Sequence, residues 1–181
     1  MLVFDSDIYE KFFEILLRTE KVLRIATANI ENIRVLIGDN VYAFSDVIKV
    51  LSKKNIETRI IASDPCIRKF PVYQELSSVN NVSFRFCYRM HSKLIIGDNK
   101  VAYLGSANIT GAGVGIKSEN KRNFEAGIII TKPQDILLLI NYYDTIWNGN
   151  WCRECFYAQF RQQKYKRCEY DILPCPGIRA L

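Results

Sequence analysis

The chain has 181 residues, 49% of them hydrophobic, and a formal net charge of +6 at pH 7; that length suits one compact domain with a real core. Its longest wholly apolar stretches, such as Ile136 to Ile140, fall far short of the roughly 18–20 residues a membrane-crossing helix needs, so no stable membrane insertion is expected. The opening residues hold Asp5, Asp7 and Glu10 with no base before Lys11, the wrong pattern for a secretory signal, and a cytoplasmic protein is expected. Positive charge favours a polyanionic partner, either nucleic acid or an anionic membrane surface, without choosing between them.

Along the chain, Ile8, Phe12, Phe13, Leu16 and Leu17 recur at helical spacing over residues 8–20, and Val22 to Ala28 reads as a short buried strand. Ala43 to Lys54 is expected to be helical, Ile56 to Ala62 a strand, and Pro71 to Ser77 a short helix opened by its proline. Three strands follow, Val82 to Cys87, Lys93 to Ile96 and Val101 to Leu104, the last two joined by the polar turn Asp98, Asn99 and Lys100. Gly111 to Phe124 is Gly-rich, basic and too long for an ordinary connection. Glu125 to Ile130 reads as a strand, and Pro133 to Trp147 as a helix with proline in its first turn. The alternation predicts an α/β sandwich: a mixed central sheet with flanking helices.

Residues 1–149 are read as this domain and 150–181 as a Cys-rich basic tail. Four of the six cysteines, Cys152, Cys155, Cys168 and Cys175, crowd into that tail. In a cytosolic chain such clustering suggests metal ligation ahead of a disulfide framework. Structural zinc is the default for four thiolates. An iron–sulfur cluster is a minor alternative because Pro176 follows Cys175, and free buried cysteines are the plain one. Arg153, Arg161, Lys164, Lys166 and Arg167 interleave there with Trp151, Phe156, Tyr157, Phe160 and Tyr165. Such a mixture suits phosphate contact and base stacking, or aromatics packing a small metal-supported core.

The segment from His91 to Asn108 spells H-x-K-x4-D-x6-G-S-x-N, with His91, Lys93, Asp98, Gly105, Ser106 and Asn108 at the specified positions. His91 and Lys93, two apart on an expected strand, project to one face, and Asn108 can return to that face after the next strand. Such a site offers an imidazole nucleophile, an ammonium for one phosphate oxygen and an amide donor for another, the donors a phosphodiester needs as charge gathers on its oxygens. Glu125 would orient the imidazole, fixing its tautomer.

This pattern resembles the signature of the phospholipase D superfamily, and with Asn123-Phe124-Glu125 the likeness extends through the helix ending near Trp147. It implies a phospholipase D-like α/β/α sandwich with a mixed central sheet, carrying the short Cys-rich tail as an addition. It also implies a two-step phosphodiester cleavage through a phosphohistidine, with no divalent metal in the reaction. His91 would be the nucleophile, Lys93 and Asn108 the phosphate ligands and Glu125 the partner of His91. Ser106 would shape the turn and add a hydroxyl contact, and Asp98 is read as structural. In this family a second motif copy supplies a second histidine as general acid, but His91 is the only histidine here. A twofold homodimer with one shared site resolves the shortage.

Small single-motif members of the superfamily resemble nucleases more often than lipid hydrolases, so the expected activity is that of an endonuclease on DNA or RNA. Lys117, Lys121 and Arg122 on the long loop could hold flanking phosphates or simply be a solvated surface. The alternatives are a phospholipid hydrolase or phosphatidyl transferase, and a catalytically silent nucleic-acid-binding protein.

Overall fold

The structure is a computed structural model, and it describes residues 1–63, 71–87 and 89–151. Its elements in chain order are β1 (Leu2–Phe4), α1 (Asp7–Arg18), β2 (Val22–Thr27), β3 (Arg34–Ile37), β4 (Asn40–Ala43), α2 (Phe44–Lys53), β5 (Glu57–Ala62), α3 (Pro71–Leu76), β6 (Val82–Phe86), β7 (Lys93–Gly97), β8 (Val101–Gly105), β9 (Ala126–Ile130) and α4 (Pro133–Trp147). Seven strands form one sheet in the order β1-β9-β8-β7-β2-β5-β6, and β3 pairs only with β4. β2, β5 and β6 run parallel, and the other pairs in the large sheet are antiparallel. Parallel neighbours need a crossover between them; α2 and α3 provide it.

Strand alternation builds the three layers. Ile25, Ile60, Phe84, Ile95 and Tyr103 face one core together with Phe12, Leu16, Phe44, Ile48 and Val72 of α1, α2 and α3. Their neighbours Ala26, Ile61, Leu94, Ile96 and Ala102 face the other, against Ile136, Ile140 and Tyr143 of α4. Central strands buried on both faces read as continuous apolar runs, which is why Lys93–Gly97 is buried at every residue. α1 holds its place through an apolar stripe with Asp7 and Glu10 in its first turn and Arg18 in its last, each charge matched to the helix dipole.

The mixed α/β/α sandwich expected from the sequence is the one observed, with element ends displaced by a residue or two. Two features escaped the periodicity. β1 is only three residues long, and its pairing with β9 places Leu2 opposite Ile128 and Phe4 opposite Ala126. The β3–β4 hairpin lies in a span to which the sequence pattern assigned no element; it turns at Gly38, whose φ is +58°, and has too few buried positions to show a pattern.

α4 covers the middle of its face but leaves the β1–β9 edge bare. Leu2, Phe4 and Ile128 are exposed there, as are Leu137 and Leu138 on the helix. Phe124, just before β9, is 99% exposed.

The β7–β8 turn lies at the end of the sheet remote from His91. Asp98 and Asn99 both have positive φ, and the Lys100 amide donates to the Gly97 carbonyl at 2.9 Å, the type I′ arrangement that suits a twisted hairpin. The Asp98 carboxylate accepts the backbone N–H groups of Glu20, Lys21 and Val22 at 2.6, 2.7 and 2.9 Å, joining the turn to the start of β2. Burial opposes ionisation of this carboxyl, but the three amide donors outweigh it and hold its pKa below the usual value. A lowered folded-state pKa gives stability that is present above the unfolded value and lost as pH falls through the folded one. Asp98→Asn, which tolerates the same backbone, should therefore cost roughly 1–2 kcal/mol at neutral pH. The deficit should shrink as pH falls below about 4, as read by urea unfolding at several pH values.

Candidate active site

The ends of β2, β7, β8 and β9 meet at one edge of the sheet. β7 begins at Lys93, so His91 stands in the segment just before the strand and not on it as expected; it is exposed. Lys93 is 6% exposed. Its Nζ donates to the His91 carbonyl at 2.7 Å and lies 3.4 Å from His91 Nδ1. Burial pulls the pKa of this ammonium down, and the nearby Glu125 carboxylate partly restores it.

The antiparallel register sets Lys93 opposite Gly105, which brings the Gly105-Ser106-Ala107-Asn108 turn across from the ammonium. Gly105 is required by packing. A Cβ there would collide with the hydroxyl of Tyr103 and come within 2.6 Å of the Ala126 carbonyl. Gly127 on β9, paired with Gly105, is bare for the same reason, since the Tyr103 ring crosses it. The Tyr103 hydroxyl accepts the Ala107 amide at 3.4 Å, and burial pushes its pKa up to about 12.

Past that glycine, the Ser106 hydroxyl donates to Glu125 Oε2 and accepts the Ala126 amide at 3.1 Å, while the Ser106 amide donates to the Ala126 carbonyl at 3.0 Å. Glu125 Oε1 accepts from Asn123 Nδ2 at 3.1 Å. Both carboxylate oxygens are thus engaged, and no hydrogen bond joins Glu125 to His91 within the chain. The expected pairing of these two residues is therefore not formed by the hydrogen bonds of the described residues. Asn108 Oδ1 accepts the Asn29 amide at 3.1 Å and lies 3.2 Å from Thr27 Oγ1; neither Thr27 nor Asn29 stood out in the sequence, and their only signal is a place at the C-terminal end of a central strand.

The loop of residues 111–124 is more ordered in its bonding than a bare connection. It is stitched by Lys117 N–H to the Gly111 carbonyl at 3.1 Å, by Asn123 N–H to the Ala112 carbonyl at 3.1 Å, and by Gly111 N–H to Glu31 Oε2 at 3.0 Å, with a 3₁₀ turn at Glu119–Lys121. Lys117 and Lys121 are exposed, whereas Arg122 is partly covered and lies 3.8 Å from Glu119. Cys152, Cys155, Cys168 and Cys175 lie outside the described residues, as does all of the tail beyond Trp151.

A family model described as cardiolipin synthase, PLD-like domain, matches residues 13–147, and the chain belongs to this phospholipase D-like family. Solved structures sharing the fold include NucT from Helicobacter pylori, with a TM-score of 0.63 and 16% identity over 80% of this chain and 94% of that one. Nuc from Salmonella typhimurium, described as a phospholipase D family member, gives a TM-score of 0.61 at 14% identity over 82% and 94% of the two chains. TrmBL2, described as an archaeal chromatin protein with a novel mode of DNA binding, gives 0.54 at 14% identity over 81% of this chain and 51% of that one. At such identities the likeness is one of fold. No curated protein matches the chain in sequence.

Gly105→Ala should move the whole turn, because one of the atoms it meets is backbone and cannot rotate away. A loss of about 1–3 kcal/mol is expected, the usual cost of overpacking, as read by chemical unfolding.

Proposed function

We propose that the chain is a phosphodiesterase that cleaves DNA or RNA through a phosphohistidine on His91, with no metal ion in the reaction, in a site shared by two copies of the chain. The observation that carries this reading is the buried Lys93 ammonium beside the His91 ring, facing the turn that bears Ser106 and Asn108. A buried ammonium with donors to spare, next to a nucleophilic ring, suits a phosphate anion that gains charge as it reacts. The exposed Lys117 and Lys121 support a substrate carrying further phosphates along its length.

In the first step a ring nitrogen of His91 bonds to phosphorus and the P–O bond to the leaving group breaks, the departing oxygen taking a proton from a second imidazole. In the second step water attacks phosphorus, gives its proton to that imidazole and releases His91. Each chain owns one histidine, so the second imidazole comes from a second copy. The bare β1–β9 edge and the exposed leucines of α4 provide an apolar face for that association.

The family's description names cardiolipin synthase, so phosphatidyl lipid belongs in the same substrate panel as single-stranded DNA, duplex DNA and RNA, all with chelator present. Nucleic acid should be cleaved and lipid spared; turnover of lipid alone would overturn the substrate assignment. Mixing wild-type and His91→Ala subunits tests both the nucleophile and the sharing. Pure His91→Ala should be inactive, and activity should fall roughly as the square of the wild-type fraction under complete exchange. A linear fall would rule out the shared site.

The tail's four cysteines are proposed as ligands of one structural zinc, a role apart from the reaction. Elemental analysis of freshly purified protein should find one zinc per chain; a brown preparation would point to iron and sulfur, and metal-free, fully stable protein would remove the idea.

A further inference from the structure

We infer that Thr27 is a positioning residue for phosphodiester cleavage, acting through Asn29 to fix which end of the Asn108 amide faces the substrate. The inference rests on the proposed role of Asn108 as a phosphate ligand. An asparagine side chain presents an acceptor at one end and donors at the other, and a phosphate oxygen can be served only by the donors. Which end faces outward depends on what holds the other.

Here the Asn29 backbone N–H, a donor that cannot reverse its role, points at Asn108 from 3.1 Å, so the atom facing it must be the amide oxygen. The Thr27 hydroxyl adds a second contact to that oxygen at 3.2 Å, and its other contact is the Asn29 carbonyl at 2.7 Å. Thr27 therefore touches both partners: its single proton goes to the nearer acceptor, the Asn29 carbonyl, and so holds the residue whose N–H selects the Asn108 oxygen. With the oxygen held inward, the Asn108 NH2 is turned outward.

The setting makes the arrangement rigid. Thr27 is 1% exposed and is the last residue of β2, a strand paired on both sides, with β5 and β7. As a β-branched residue it has little rotamer freedom. The segment after it is strapped to the Asn108 loop by a bridge between Ile30 and Ile109 and by the Glu31 N–H donating to the Ile109 carbonyl at 2.7 Å. Lys93, at the start of β7, and Asn108, in the turn after β8, thus flank the substrate position, and Thr27 links the second of them to the centre of the sheet. Chemically, this is a donor aimed in advance, so that its reorientation is not required when charge develops on the phosphate.

The test uses the full-length protein and bis(p-nitrophenyl) phosphate, a small diester that reports the reaction and not the nucleic-acid surface. Thr27→Val keeps the shape and removes the hydroxyl, and Thr27→Ser keeps the hydroxyl. Thr27→Val should lower kcat about 10- to 100-fold, the range for a misplaced catalytic group, with KM changed far less and with unfolding close to wild type. Thr27→Ser should recover most of the loss. In an Asn108→Ala background Thr27→Val should cost nothing further, because two residues acting through one interaction are not additive. Undiminished kcat in Thr27→Val, failure of Thr27→Ser to rescue, or full additivity with Asn108→Ala would each overturn the inference. If the wild type cleaves no phosphodiester, the proposed function fails, and the positioning of the amide is judged by binding of inorganic phosphate in calorimetry. Thr27→Val should then weaken that binding while Thr27→Ser retains it, and equal binding by all three would overturn the inference.

Discussion

A buried ammonium is the constraint around which this edge of the sheet is organised. Lys93 is almost fully covered, and taking a charge out of water is costly unless something answers it. Among the described residues one firm hydrogen bond goes to the His91 carbonyl, and the Glu125 carboxylate, whose charge favours the ammonium, has its oxygens engaged by Ser106 and Asn123. Burial lowers the pKa of Lys93, and the charge of Glu125 offsets that only in part.

Placing that cation opposite the right turn is a matter of β-sheet register. Sliding β8 by one residue against β7 would set a different residue opposite Lys93 and turn Ser106 and Asn108 to the other face. Two devices at opposite ends of the hairpin resist such a slip. At one end, Asp98 ties the turn to the beginning of β2 with three amide hydrogen bonds. At the other, the Tyr103 ring lies across Gly105 and Gly127, positions that no larger residue could occupy without moving it. The aspartate of the motif therefore belongs to the architecture of the hairpin, remote from the chemistry it was spelled beside.

The same economy explains the shape of the outer face. α4 buries only a narrow stripe, Ile136, Ile140 and Tyr143, and Asp144 at its far side meets the Arg24 guanidinium at 3.5 Å. Leu137 and Leu138 on its outward surface, with Leu2, Phe4 and Ile128 at the β1–β9 edge, form an exposed apolar region on this layer among the described residues.

Much of this was legible in the order of residues. Apolar runs and helical spacing marked the layers, Pro133 marked the start of α4, and the spacing from His91 to Asn108 brought those side chains to one end of the β7–β8 hairpin, because hairpin geometry converts such spacing directly into position. Local sequence also marked Asp98 as a turn residue. What it could not carry was any relation between segments distant in the chain. β1 is too short to show alternation and exists only because β9 offers it an edge; the β3–β4 hairpin buries only Val35 of its strand residues, so no alternation is visible. Gly105 stood in the sequence only as a position of the motif, and only packing reveals that the ring of Tyr103 requires it. Thr27 and Asn29 lie about eighty residues from Asn108 in the chain, and no local pattern joins them. The Glu125–His91 pairing, expected from the residue types and from the family resemblance, is not among the hydrogen bonds of the described residues, because the orientation of a carboxylate is decided by the donors that surround it, and those are set by the tertiary fold.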